Sequence, residues 1–200
     1  MIVYRNDVSG FRKETESNVI AHAIEGCLKE KLGRGTSPSE KSSWQNSFQF
    51  VNNAIRNSRI PDDCGVLIEF TLPLSSKRID LMITGRDHRN DENAVIVELK
   101  QWSEATKTVF PDLVRTLIGQ GFREVAHPSY QAASYKSFLT NFIEAFYEAD
   151  IVAHACAYLH NYRKKEKDDL LDLSYQFWID QAPIFFNQDY EIFSSYLREK

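Results

Sequence analysis

Asp80, Glu98 and Lys100 are the side chains of this chain best suited to phosphoryl chemistry. Asp80 lies in the run Arg78-Ile79-Asp80-Leu81-Met82-Ile83-Thr84-Gly85, and Glu98 and Lys100 close the run Ala94-Val95-Ile96-Val97-Glu98-Leu99-Lys100. Both runs alternate apolar and polar residues as β-strands do. Ile79, Leu81 and Ile83 share one face of the first, with Asp80 opposite. Val95, Val97 and Leu99 share one face of the second, so Glu98 and Lys100 project together from the other. Charges in an otherwise apolar strand are costly unless they are paired or bound. Two neighbouring carboxylates repel unless a cation lies between them, and oxygen ligands with open positions suit Mg²⁺ or Mn²⁺. Lys100 would then orient or deprotonate a water, or stabilise charge on a phosphate oxygen. The set reads as a candidate metal-dependent phosphodiesterase site. Glu-x-Lys also occurs on solvated strand faces, and these residues alone leave that alternative open.

The surrounding pattern predicts how the three are held. Residues 86–93 form a polar loop after a glycine, joining the two runs as an antiparallel hairpin. Residues 66–72 read as a preceding strand, left at Pro73, with Glu69 either a further carboxylate at the site, a partner for Lys100 or Arg78, or a polar residue on a solvated face. Upstream, residues 1–10 are a lead-in strand or tether. Residues 11–32 read as one amphipathic helix with Val19, Ile20, Ile24, Cys27, Leu28 and Leu32 on its stripe, ended by Gly33 and Gly35. A loop over 36–41 leads to a second helix, capped by Ser37 and Ser39 around Pro38. Trp44, Phe48, Val51 and Ile55 on it are expected in the core. Residues 101–128 have no clear period, with a short hairpin around Val109, Pro111 and Val125. Residues 129–148 read as one helix carrying Gln131, Tyr135, Phe138, Leu139, Phe142 and Phe146 on a broad face. Residues 151–159 read as a strand covered on both sides, with His154 a hydrogen-bonded core histidine. Residues 183–186 suggest an edge strand and 190–200 a final helix. The order helix, three strands, helix, strand predicts an α/β domain with a mixed sheet flanked by helices.

The arrangement of Asp80 on one strand and Glu98-x-Lys100 on the next resembles the PD-(D/E)xK nuclease superfamily. The first motif reads Lys77-Arg78-Ile79-Asp80, with Ile79 where that family often has proline. Gln131-Ala132-Ala133-Ser134-Tyr135 is similar to the Q-x-x-x-Y motif of RecB-like members, and its Gln and Tyr share a helix face. The stretches 2–5, 75–80, 97–102 and 127–131 together resemble the N-terminal region of bacterial predicted DNA/RNA helicases with Schlafen-like ATPase domains. The resemblance implies a restriction-endonuclease-like core spanning 1–200 and a nuclease module, DNA-directed, joined to or partnered by a helicase motor in phage defence or DNA processing. It implies Asp80 and Glu98 as metal ligands, with the Val97 or Leu99 carbonyl as a further one, Lys100 positioning water, and Gln131 and Tyr135 supporting the site. A helix-borne glutamate before the core strands often completes such a site, which makes Glu25, and after it Glu16, a candidate third ligand. His127 is a candidate phosphate contact or a capping and packing residue. No G-x-x-x-x-G-K-[ST] phosphate loop occurs in these 200 residues.

Composition narrows the partners. The chain is 42% apolar and rich in aromatics, enough for a core of domain size. No apolar run reaches the roughly 20 residues needed to span a membrane, and no basic-then-apolar signal opens the chain, which predicts a cytoplasmic protein without membrane contact. Cys27, Cys64 and Cys156 are odd in number and far apart, so neither a disulfide framework nor a zinc knuckle is indicated. The formal net charge of −4 argues against a non-specific nucleic-acid coat but not against a nuclease, because phosphate contact needs only a local basic patch. Lys77, Arg78, Arg86, Arg89, Lys107, Arg115 and Arg123 surround the site in sequence, with Lys77 and Arg78 the nearest. A homodimer would be needed for paired-strand cuts. Two other functions stay open: a non-catalytic nucleic-acid-binding or docking domain on the same fold, and a phosphodiesterase of a small nucleotide signal.

Overall fold

The computed structural model describes residues 2–73, 75–87 and 89–200. Strand β1 (Ile2–Asp7) leads into helices α1 (Val8–Glu16), α2 (Ile20–Leu32) and α3 (Pro38–Ser58). Strands β2 (Gly65–Thr71), β3 (Arg78–Arg86) and β4 (Glu92–Leu99) follow, then a small set β5 (Ala105–Lys107), β6 (Leu113–Ile118) and β7 (Gly121–Ala126). Helices α4 (Pro128–Phe142) and α5 (Glu144–Glu148) precede β8 (Val152–Leu159), and α6 (Gln176–Gln181), β9 (Ile184–Phe186) and α7 (Tyr190–Glu199) complete the chain. The main sheet has the order β1-β2-β3-β4-β8-β9, antiparallel as far as β4 and parallel from β4 through β8 to β9. This is the α/β architecture with a central mixed sheet that the pattern predicts.

Helices cover both faces of that sheet. One core joins β1–β4 to α1, α2, α3 and α7 through Phe11, Ile24, Phe48, Leu81, Val97, Tyr158 and Phe193. The other joins Met82, Ala94, Ile96 and Ala155 to Ala132, Tyr135 and Leu139 of α4. Burial on both faces is why β4 and β8 read as nearly continuous apolar runs. A third cluster, with Tyr162, Leu170, Tyr175 and Phe186, seats the three-stranded β5-β6-β7 sheet on the end of the main one. At the outer edge, the Lys31 ammonium donates to the carbonyls of Ile2 and Val3, at 3.0 and 2.8 Å.

Several sequence expectations need correction. Residues 11–32 are two helices: the Ser17 hydroxyl takes the Lys13 carbonyl at 2.6 Å, and Asn18 turns left-handed at φ 59°, a conformation Asn tolerates better than most residues. The break leaves Val19 44% exposed rather than on the stripe. The second helix starts earlier than expected, at Pro38, because Ser37 and Glu40 form a reciprocal capping box. The third ends at Phe142. Ile143 is extended there, which turns Ile143 and Phe146 onto the sheet and leaves Phe142 71% exposed. The segment without a clear period holds three paired strands. The β3–β4 hairpin forms in the expected antiparallel register; His88 of its predicted loop lies outside the described residues. The cysteines are free, with Cys156 buried and Cys27 and Cys64 half-buried.

Phe48 is fully buried and packs edge-on against Phe11 at 5.9 Å, tying α3 to α1 beneath the sheet. Phe48→Ala is expected to cost about 3–5 kcal/mol of unfolding free energy, measured as the shift of a urea midpoint at constant slope.

Candidate active site

The ladder between β3 and β4 stops two residues short of the end of β4. Leu81 pairs with Val97, but the next step is taken by a side chain: Asp80 Oδ2 accepts from the Leu99 amide at 2.9 Å. Lys100 leaves β4 with its own amide on the Tyr158 carbonyl at 3.1 Å, so the parallel pairing with β8 fixes its backbone. Its ammonium turns back to donate to Glu98 Oε1 at 2.6 Å and reaches across to Gln131 Oε1 on α4 at 3.0 Å. Gln131 in turn donates from Nε2 to the Tyr135 hydroxyl at 2.8 Å, the contact expected of residues four apart on one helix face. Asp80, Glu98, Lys100, Gln131 and Tyr135 therefore converge.

The electrostatics of this cluster follow from its burial. The Glu98 side chain is 1% exposed and that of Lys100 17%. Glu98 Oε2 is buried and no amide, hydroxyl or ammonium donates to it; its one partner is the Asp80 carboxyl, through a proton that the two acids share. Burial, with the Asp80 charge adding to it, pushes Glu98 up to about 8. Burial also raises Asp80, against the pull of Lys100 and the Leu99 amide. Burial lowers Lys100, but Glu98 and Asp80 outweigh it and hold the ammonium above its ordinary value. A lysine held charged is a donor to water or phosphate oxygen rather than a base. Tyr135 is raised by burial and by Glu98, so its hydroxyl is neutral.

Two carboxyls and one ammonium leave the cluster one negative charge in excess when both acids ionise. Either a proton or a cation must relieve it. The donor set fits a hard divalent cation, because an orphaned buried carboxylate oxygen lies beside a second carboxylate. Among the described residues no group of three or more His, Cys, Asp or Glu side chains converges on a metal position, so further ligands would be water or backbone oxygen, as Mg²⁺ tolerates.

Asp80 and Lys100 face a cavity of about 400 Å³ that also meets Ser43, Trp44, Glu69, Gln101 and Trp102. A larger cavity, of about 810 Å³, lies further along the sheet against Phe146 and includes none of the five converging residues. No protein-family model matches the chain, and no curated protein or solved structure does either.

Other predicted residues lie elsewhere. Glu25 is not brought to the pair: its carboxylate is held by Lys41 at 2.7 Å and Lys29 at 3.4 Å. Glu16 faces Arg56 at 3.7 Å. The helix that immediately precedes the core strands is α3, and it presents Ser43 and Ser47 to the cavity rather than an acid. His127 takes, of the two roles expected for it, the capping and packing one and not the phosphate contact. It is fully buried, stacked on Tyr175 at 4.4 Å, accepts from the Ser129 amide through Nδ1 at 3.2 Å and contacts the Leu170 carbonyl through Nε2 at 3.1 Å. Burial lowers it to about 4, so it caps α4 as a neutral ring and is not available to phosphate. Arg78 pairs with Glu69, whose left-handed backbone at φ 55° interrupts the ladders on both sides of β2. The same carboxylate accepts from Trp44 Nε1 at 3.1 Å, so Trp44 is a wall of the cavity as well as core. Lys77 is exposed.

Sequence reasoning missed the support behind Lys100. Gln101 Nε2 donates to Ser43 O, Ser43 Oγ and Ser47 Oγ at 2.8–2.9 Å, and Ser47 Oγ meets Nε2 of the buried His160 at 3.0 Å. The position of Gln101 beside the E-x-K triplet was the only available signal.

In metal-free buffer the retained protons set a pH dependence. Glu98 holds its proton to about 8 in the folded chain against an ordinary 4.5, so the unfolded chain releases it first. Stability should therefore fall as pH rises from about 4.5 to about 8, with a limiting slope of about 1.4 kcal/mol per pH unit for each proton retained. Urea midpoints at pH 5 and pH 8 in EDTA should differ in this direction, and Glu98→Gln should flatten the difference.

Proposed function

We propose that this chain is a divalent-metal-dependent hydrolase of phosphodiester bonds in nucleic acid. The observation that carries the reading is the buried Glu98 oxygen that has no partner other than a proton shared with Asp80, with the Lys100 ammonium on the other oxygen of the same carboxyl. A buried carboxylate oxygen without a cation or a donor is costly, and Glu98 Oε2, unlike Glu69 Oε2 with its Arg78 ion pair, has no cationic side chain on it. Asp80 and Glu98 would hold Mg²⁺ or Mn²⁺. When bound, such an ion polarises a phosphoryl oxygen and lowers the pKa of its water. Lys100, kept charged by the two acids and aimed by Gln131, donates to the attacking water or to a non-bridging phosphate oxygen. Tyr135 fixes the Gln131 amide, and the Asp80 bond to the Leu99 amide fixes where the first carboxylate points.

The resemblance to PD-(D/E)xK nucleases supports the same chemistry, and it is the ground for favouring DNA over RNA and a helicase motor as working partner. The alternative is a binding or docking domain that keeps the arrangement without turnover. It is favoured by the lack, among the described residues, of a third acid converging with Asp80 and Glu98 on a metal position, and by the serines that α3 offers to the cavity.

The test is incubation of the purified chain with linear duplex, plasmid, single-stranded DNA and RNA, in Mg²⁺, Mn²⁺ or EDTA. Cleavage should require the metal and fall by about a hundredfold or more in Glu98→Gln and Lys100→Ala, and by about 10–100-fold in Gln131→Ala. Cleavage that persists in the first two variants, or fails on every substrate, overturns the reading. Because Glu98 must lose its proton to bind metal, Mn²⁺ affinity should rise with pH, by up to about tenfold per unit below pH 8.

A further inference from the structure

The strands between β4 and α4 end in a hairpin tip that overhangs the site. Leu117, Ile118 and Gly119 line the cavity shared with Asp80 and Lys100, and Gly119 makes the turn at φ 63°. Along β6, Val114 and Thr116 are fully buried, which leaves Arg115 and Leu117 on the outer face. Leu117 is paired across the hairpin with Phe122, and the Arg115 guanidinium sits 5.3 Å above the Phe122 ring. Leu117, Ile118 and Phe122 are 41%, 38% and 50% exposed. These three side chains form one contiguous apolar surface at the hairpin tip. Here Leu117 belongs both to the exposed pair and to the wall of the reactive cavity. Trp102 also lines that cavity, with the Lys100 ammonium 5.4 Å from its ring.

Aromatic and apolar side chains interleaved with cations suit one class of ligand above others: unpaired nucleobases on a phosphate backbone, which stack on rings regardless of sequence. The cavity, about 400 Å³, lies at the small end of ligand pockets, which run from about 300 to 1,000 Å³. That volume is of the order of one nucleotide. An apolar protein segment would fit the Leu117–Phe122 pair but gains nothing from Arg115 and Lys100 at its margins.

We infer that the β6–β7 tip is a stacking arm for single-stranded nucleic acid. Phe122 and Leu117 pack against successive bases, Arg115 meets the adjacent phosphate, and the strand passes beneath Ile118 to present one unpaired nucleotide to Lys100 and Asp80. The inference rests on the phosphodiesterase reading and narrows it: the substrate is a single strand or a frayed end, and an intact blunt duplex is refused.

The experiment reads binding without turnover. Fluorescence anisotropy of labelled single-stranded DNA, single-stranded RNA and blunt duplex DNA is measured with Glu98→Gln protein in EDTA at fixed salt. Single strands should bind at least about tenfold tighter than the duplex. Adding Phe122→Ala should weaken single-strand binding by about tenfold and change duplex binding little, whereas Phe122→Trp should restore it. Phe122 is half exposed, so neither change threatens the fold; circular dichroism checks this. Equal affinity for duplex and single strand, an unchanged Phe122→Ala variant, or no binding at all overturns the inference. The DNA and RNA arms show which sugar is preferred. Metal-dependent cleavage by the unaltered chain alongside equal duplex binding would retain the hydrolase reading and remove the arm; selective binding without cleavage would do the reverse.

Discussion

The Asp80 carboxylate takes a backbone amide that a neighbouring strand would otherwise claim, and the rest of the site depends on that substitution. By accepting from Leu99, Asp80 ends the β3–β4 ladder while keeping the amide satisfied. The two strands can then part without leaving a buried donor unpaired. The gap is where Lys100 turns back and where the cavity opens. On the far side β8 does not part: it pairs with β4 as far as Leu99 and holds the Lys100 amide beyond it. The sheet is thus rigid on one side of Lys100 and open on the other, which places a charged side chain on a firm backbone at the rim of a cleft.

The charges are balanced in an unusual way for a core. Glu98 is as buried as the apolar residues around it, and its environment supplies a donor to only one of its oxygens. Glu69, similarly buried on the adjacent strand, has Trp44 on one oxygen and Arg78 on the other. The two glutamates differ in what neutralises them: Glu69 has an arginine on its second oxygen, whereas the second oxygen of Glu98 faces another acid, Asp80. Behind Lys100, the chain from His160 through Ser47 to Gln101 locks α3 and the end of β8 to the residue after the lysine, so the cleft wall is held from three elements.

Much of this was legible in the sequence, for local reasons. Alternation over 78–85 and 94–100 is a direct record of strand geometry, and it put Asp80, Glu98 and Lys100 on their strands. Gln131 and Tyr135 were legible as a pair four apart on a helix. Contacts between residues remote in sequence left no such record: Ser47 and His160 are 113 positions apart. Helix breaks were hidden for a different reason. At Asn18 and Ile143 the apolar spacing continues across the interruption, and only hydrogen bonding and backbone conformation reveal that the chain has turned. Glu25 illustrates the limit of a resemblance: the helix carrying it is not the one that immediately precedes the core strands, and two lysines hold its carboxylate elsewhere.

The Lys31 ammonium over the carbonyls of Ile2 and Val3 bears on how copies of the chain can meet. A sheet edge is a template for further strands because its carbonyls and amides are free, and at β1 the carbonyls of these two residues are already occupied by a strongly hydrated charge. At the opposite edge β9 offers three residues before the chain turns into a 3₁₀ segment, too short a ledge for stable addition. The Lys31 contact therefore blunts one end of β1 against the continuous cross-chain pairing that underlies fibrils and swapped strands, and the shortness of β9 limits such pairing at the other margin. Backbone pairing between copies is thereby discouraged at the main sheet, whereas β7 remains a six-residue edge of the small sheet.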